Sequence, residues 1–76
     1  MFITITIKLD NITSDVRIDS EQRIITGLEV LRDSGNMPSG ETPAYFHSEQ
    51  NEKLVSAYKS FSDESIYDGD ILTAVV

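Results

Sequence analysis

His47 is the only histidine in the chain and the first residue to weigh for proton transfer. General acid–base work needs an imidazole held by an orienting group and aimed at a nucleophile or a bound water. Glu49 follows two positions later and at best shares a strand face with it, so His47 reads as a surface residue. Asp63, Glu64, Asp68 and Asp70 gather in the C-terminal third. A calcium loop places oxygen ligands at fixed alternate positions and closes on a bidentate Glu. Asp68-Gly69-Asp70 lacks that frame and reads as a tight turn. Gly35 and Gly40 match no phosphate-loop spacing, and no Ser or Thr stands in a nucleophile-elbow context. The expectation is therefore no catalysis, no metal and no cofactor, with function resting on binding.

The bulk composition narrows the partner class. The 76 residues suffice for one domain, 1–76, and a domain this short buries only about 60% of its unfolded surface. Cysteine is absent, which excludes disulfides and thiolate–metal sites and favours the cytoplasm over secretion. Net charge is −7, from 13 acidic and 6 basic residues. That balance repels phosphate backbones, so nucleic acid is not an expected partner. It favours solubility and would suit a basic protein partner. No apolar run approaches the ~20 residues of a membrane helix, and Met1–Leu9 lacks the flanks of a signal peptide. The sequence-based expectation is a soluble cytoplasmic protein with no membrane insertion.

Period-two alternation marks the first element. Ile3, Ile5, Ile7 and Leu9 alternate with Thr4, Thr6 and Lys8, a β-branched pattern with one buried face. Asp10-Asn11 opens a turn that Ser14-Asp15 closes, and Val16 and Ile18 continue the alternation, giving an N-terminal hairpin. A helix follows. Asp19 or Ser20 is its expected cap, with Gln22 completing a capping box and Glu21 in the first turn. Ile24, Leu28 and Leu31 form one stripe at helical spacing, with Ile25 beside it. Gly27 costs about 1 kcal/mol relative to Ala in a helix, which suggests close packing on the sheet. Ser34-Gly35 ends the helix, and Asn36–Pro43 reads as an irregular connection. Ala44–Ser48 and Lys53–Val55 are expected short strands around the polar turn Glu49–Glu52. Ile71–Val76 reads as a buried last strand after the Asp68-Gly69-Asp70 turn. The expected inward set is Ile3, Ile5, Ile7, Val16, Ile18, Ile24, Leu28, Leu31, Phe46, Leu54, Phe61, Ile66, Leu72 and Ala74. A helix set between strand pairs predicts an α+β fold with the helix packed across one face of a mixed four- to five-stranded sheet.

This order of elements, in this length, resembles the ubiquitin-like β-grasp. Phe61-Ser62, then Ile66, Asp68-Gly69-Asp70 and Ile71-Leu72 carry the most specific part of the likeness: an apolar residue in a short turn, another five positions on, a polar turn, then the last strand. Within that group the chain looks like the small bacterial YukD/EsaB proteins, ubiquitin-like accessory proteins of type VII secretion in Gram-positive bacteria. The Ile3-Thr4-Ile5 start and the Ile66–Leu72 stretch carry this likeness. The helix and the loop after it depart from it, being shorter or more polar. The resemblance implies a non-catalytic protein-binding module whose partners include secretion-machinery subunits, and it leaves a homo-oligomer open. Conjugated relatives and sulfur carriers end in Gly-Gly, whereas this sequence ends Thr73-Ala74-Val75-Val76. A modifier or sulfur carrier would therefore require a longer native C-terminus. A scaffold domain cut from a larger protein is a further alternative.

The outer sheet face, away from the helix, is the expected binding surface. If odd positions of the first strand point inward, Phe2, Thr4, Thr6 and Lys8 point outward. By the same alternation Tyr45, His47, Ile71, Thr73 and Val75 point outward. Phe2, Tyr45, Ile71 and Val75 would then make one exposed apolar patch with His47 among them, the kind of surface that marks a protein contact. Ubiquitin-like domains often bind through this same face. The alternative is that these side chains are scattered singly, which would carry no meaning.

Overall fold

Three isoleucines at alternate positions leave the first strand one way to lie. In the computed structural model, which describes residues 1–75, β1 runs Phe2–Leu9 with Ile3, Ile5, Ile7 and Leu9 all buried. The sequence-predicted extension of the last strand onto Val76, and the carboxylate expected there, lie outside the described residues.

β2 (Ile12–Asp19) pairs antiparallel with β1 along its whole length, from Phe2 opposite Asp19 to Leu9 opposite Ile12. The turn is Asp10-Asn11 alone, with Asp10 at φ 55°, rather than the longer turn closing at Ser14-Asp15. Asp and Asn tolerate such a tight reversal because their short polar side chains accept left-handed backbone. The strand thus starts at Ile12, four residues before the alternation of Val16 and Ile18 becomes visible.

Helix α1 (Ile24–Asp33) buries Ile24, Gly27, Leu28 and Leu31. The sequence-predicted cap is wrong. Arg23 is the N-cap residue, its backbone is extended, and no side chain caps the helix. Asp19 instead accepts the Glu21 N–H at 3.0 Å, and Gln22 N–H bonds the Asp19 carbonyl at 2.9 Å. The orphan donors of the first turn are met across the fold: Ile24 N–H donates to Lys59 O and Ile25 N–H to Ala57 O, both at 2.9 Å. A tertiary contact thus replaces the local cap. The C-terminus follows the expected chemistry. Gly35 adopts φ 79°, its N–H reaches Arg32 O, and Asn36 N–H reaches Leu31 O, the paired bonds of a Schellman end.

The irregular stretch after α1 is fastened rather than loose. The Arg32 guanidinium donates to Pro38 O, Thr42 Oγ1 and Glu41 O at 2.9–3.0 Å, and Met37 is buried beneath it. β3 (Tyr45–Ser48) and β4 (Lys53–Ser56) then form a second antiparallel hairpin, and β5 (Ile71–Val75) enters between the two hairpins. The strand order is β2-β1-β5-β3-β4, with β5 parallel to β1 and antiparallel to β3. This is a five-stranded mixed sheet with one helix across one face.

Phe46, Phe61, Ile66 and Leu72 join the isoleucines and the helix stripe in one core. Leu54 does not. It is 57% exposed, and its neighbour Val55 is buried in its place. Phe46 points inward and lies opposite Val55, so the pleat sends Leu54 to the other face. Ala74 is only partly buried against the core, and Leu9, Met37 and Ala57 enlarge it beyond the expected set. Fully burying an aliphatic or aromatic side chain of this kind stabilises by about 1.5–3 kcal/mol before the entropy of ordering is charged against it.

Candidate partner-binding face

Strand pairing fixes which outward side chains are neighbours. Val75 lies directly opposite Tyr45, and Thr73 opposite His47. On the far side of β3, His47 faces Leu54 and Tyr45 faces Ser56. On the near side of β5, Thr73 faces Lys8 and Ile71 faces Thr6. One row across the sheet therefore reads Lys8, Thr73, His47, Leu54, and the next reads Val75, Tyr45, Ser56.

These rows put two large apolar side chains on either side of Tyr45, all three in solvent: Tyr45 at 53%, Leu54 at 57% and Val75 at 41% exposure. Directly opposed residues on one face have Cβ atoms about 4.5–5.5 Å apart, and diagonal ones about 7–8 Å. Tyr45 is thus adjacent to Val75 and diagonal to Leu54, with exposed His47 between Tyr45 and the polar rim. Ile71 sits two residues before Thr73 on the same face and is half-buried. The structure brings together three of the five expected site residues, Tyr45, His47 and Val75; Ile71 lies on the same face but four positions from Val75, beside Thr73 and diagonal to His47.

Phe2 does not join them. β5 begins opposite Thr6, and Phe2 stands four positions earlier on β1, about 13 Å away at the rise of a strand. It is 60% exposed and lies beneath Arg17, whose guanidinium carbon is 5.4 Å from the ring centroid. That geometry suits a cation–π contact. The expectation of one patch containing Phe2 is corrected: alternation gives the face of a side chain, but the register of β5 against β1 decides its neighbours.

Leu54 is the residue missed. A signal for it was present, because the four-residue turn Glu49–Glu52 sets Ser48 opposite Lys53, and counting back puts His47 opposite Leu54.

The acidic residues of the C-terminal third are occupied by their own chain. Asp68 Oδ1 accepts the Thr4 N–H at 2.7 Å. Asp70 is fully buried and accepts Ser48 Oγ at 2.5 Å, Gln50 N–H at 3.0 Å and Ile71 N–H at 2.7 Å. Glu64 accepts the Ser56 N–H at 2.7 Å. These carboxylates pin the turns on either side of β5, and Gly69 at φ 87° allows the reversal between two of them. A cleft of about 280 Å³ is lined by Ile12, Gly35, Asn36, Met37 and Pro38. None of the expected site residues lines it. Among the described residues, no helix is long and apolar enough to cross a membrane.

No family model and no curated protein sequence matches the chain. A solved structure does: the EccD5 ubiquitin-like domain from Mycobacterium xenopi aligns with a TM-score of 0.59 at 19% identity, covering 99% of this chain and 93% of that one. The hairpin–helix–hairpin–strand order, the central parallel strand and this alignment together give the chain the ubiquitin-like β-grasp fold.

Proposed function

We propose that the chain is a non-catalytic protein-binding module that docks a partner on the outer face of its sheet. The observation that carries this is the registered cluster of Tyr45, Val75 and Leu54 with His47 at its edge, exposed side chains that the pleat holds together rather than scatters. Aromatic enrichment is typical of contact cores, and a rigid sheet presents such groups at little entropic cost. Glu49 and Glu52 in the adjoining turn add negative charge at the rim, which would steer a basic partner.

The cellular setting we infer is the cytoplasmic side of a Gram-positive type VII secretion system, with the chain as an accessory or regulatory component. Support comes from the likeness of Ile3-Thr4-Ile5 and of Ile66–Leu72 to the YukD/EsaB proteins, and from the fold shared with the EccD5 domain. The test is affinity capture from Gram-positive lysate by wild type beside a Tyr45→Ala/Val75→Asp variant whose unfolding midpoint matches wild type. Recovery of secretion subunits by wild type alone supports the reading. Equal recovery by both proteins would rule out this face, and covalent adducts with activating enzymes would favour a modifier instead.

A further inference from the structure

The sheet has two edges, and they are unlike. β4 is four residues long, and the Ser56 N–H on its edge is already taken by Glu64. β2 is eight residues long, pairs without a bulge, and contains neither Pro nor Gly.

Hydrogen-bond direction shows what β2 offers. Thr4 and Thr6 aim their backbone groups at the β5 side: Thr4 N–H reaches Asp68, Gly69 N–H reaches Thr4 O, and Thr6 N–H reaches Asp70 O. The intervening Ile3, Ile5 and Ile7 therefore bond β2, through Ile18, Val16 and Ser14. Thr13, Asp15 and Arg17 must then point their N–H and C=O groups away from the sheet. Among the described residues no group pairs with these backbone N–H and C=O groups; the three residues are exposed, with the Asp15 carboxylate accepting Thr6 Oγ1 at 2.6 Å along the outer face. An unpaired row of this length is a template for another strand.

We propose that β2 pairs antiparallel with β2 of a second copy, joining two five-stranded sheets into one. The occupant follows from charge. Only odd-numbered residues present backbone groups on this edge, so the two central registers are Asp15 opposite Asp15, or Asp15 opposite Arg17. The first sets like charges against each other, which is destabilising. The second places Asp15 against Arg17 of the second copy and, by the twofold, Arg17 against its Asp15. Two opposite-charge cross-strand pairs form on one face. The strand is thus complementary to itself in one register and repels itself in the other. A closed twofold pairing of this kind also uses up the β2 edge of both copies and cannot grow into a fibre through β2.

The net charge of −7 opposes the approach of two copies. At physiological ionic strength repulsion is screened beyond about 8 Å, so the dimer should tighten between low and physiological salt.

The experiment is sedimentation equilibrium across concentration, paired with amide exchange by NMR. Wild type should dimerise, and the amides of Thr13, Asp15 and Arg17 should slow with concentration while those of Ser14, Val16 and Ile18 stay protected throughout. Arg17→Asp and Asp15→Arg should each weaken the dimer on the order of tenfold or more. The Asp15→Arg/Arg17→Asp double swap should restore it. Asp15→Arg leaves the Arg17 stack on Phe2 in place but gives up the exposed Thr6 Oγ1–Asp15 bond, so the unfolding midpoint of each single variant is measured beside its dimerisation to separate loss of pairing from damage to the monomer. Wild type that stays monomeric up to about 1 mM, or a dimer that neither single swap weakens, overturns the proposal.

Discussion

Ser48 donates its hydroxyl to Asp70 at 2.5 Å, and both side chains are fully buried. The same carboxylate collects Gln50 N–H and Ile71 N–H, so one side chain ties the β3–β4 turn to the start of β5. Every buried side-chain polar atom among the described residues has a partner in the structure. Removing the acceptor would strand three donors. Asp70→Ala is expected to cost about 3 kcal/mol or more; Ser48→Ala keeps the Gln50 and Ile71 bonds to Asp70 but also gives up the Asn51 N–H and Nδ2 bonds to Ser48 Oγ, and is expected to cost about 2 kcal/mol. Urea denaturation of both variants checks the order.

Gly27 sits where a Cβ would lie 3.2 Å from Phe61 Cζ and 3.7 Å from Ile18 and Ile7. In an exposed helix Gly→Ala would gain about 1 kcal/mol. Here Phe61 is fully buried and would have to shift by a few tenths of an ångström against its own core neighbours, and overpacking costs about 1–3 kcal/mol. Gly27→Ala is therefore expected to lower the thermal midpoint, and Gly27→Val to lower it further. A rise for Gly27→Ala would mean that the helix can lift off the sheet cheaply.

The Val55 and Leu54 pair separates core from face. Val55→Ala is expected to cost about 2 kcal/mol because it opens a cavity against Phe46. Leu54→Ala should stay within about 0.5 kcal/mol of wild type, since the side chain stands in solvent. The reverse ranking in chemical denaturation would put β4 one residue out of phase.

Asp19 should titrate below its ordinary 3.8. The main cause is the Glu21 N–H it accepts, and the second is the hydrogen bond from the Met1 amino group at 3.3 Å. Slight desolvation opposes both. A carboxyl depressed in the folded state contributes stability above its unfolded pKa, near 3.9, and loses that contribution as pH falls through the lower folded value. The acid limb of the stability curve should therefore flatten in Asp19→Asn. Acetylating Met1 should raise the Asp19 titration midpoint only part of the way, as carboxyl NMR would show, because the Glu21 bond remains.

Much of this was legible in the residues because local and global preferences agree. Alternating isoleucines in β1 and the Ile24, Leu28, Leu31 stripe each admit one face, and both faces are buried as expected. Where the reading failed, the deciding force came from elsewhere in the chain. The start of α1 is set by carbonyls of Lys59 and Ala57, more than thirty residues from the Asp19-Ser20 pair that looked like a cap. Leu54 and Val55 are both apolar, so a four-residue strand carries no internal signal of phase, and the turn before it must supply one. The separation of Phe2 from Tyr45 depends on where β5 begins beside β1, which no local pattern encodes. The candidate face was legible as a set of outward positions, and the pairing then selected which of them adjoin.

The placement of β5 has a consequence for synthesis. The seam between the two hairpins is filled by residues 71–75, so every earlier element leaves the ribosome before the strand that unites them. Until then β1 and β3 border an open slot, and the Thr6 N–H and Glu49 N–H that the Asp70 and Ile71 carbonyls later receive are unmet. Such non-local closure is slow compared with forming a hairpin, and an unsealed slot is where a nascent chain is exposed to wrong partners. A ribosome stalled before Ile71 would hold two half-sheets that any passing extended peptide could bridge.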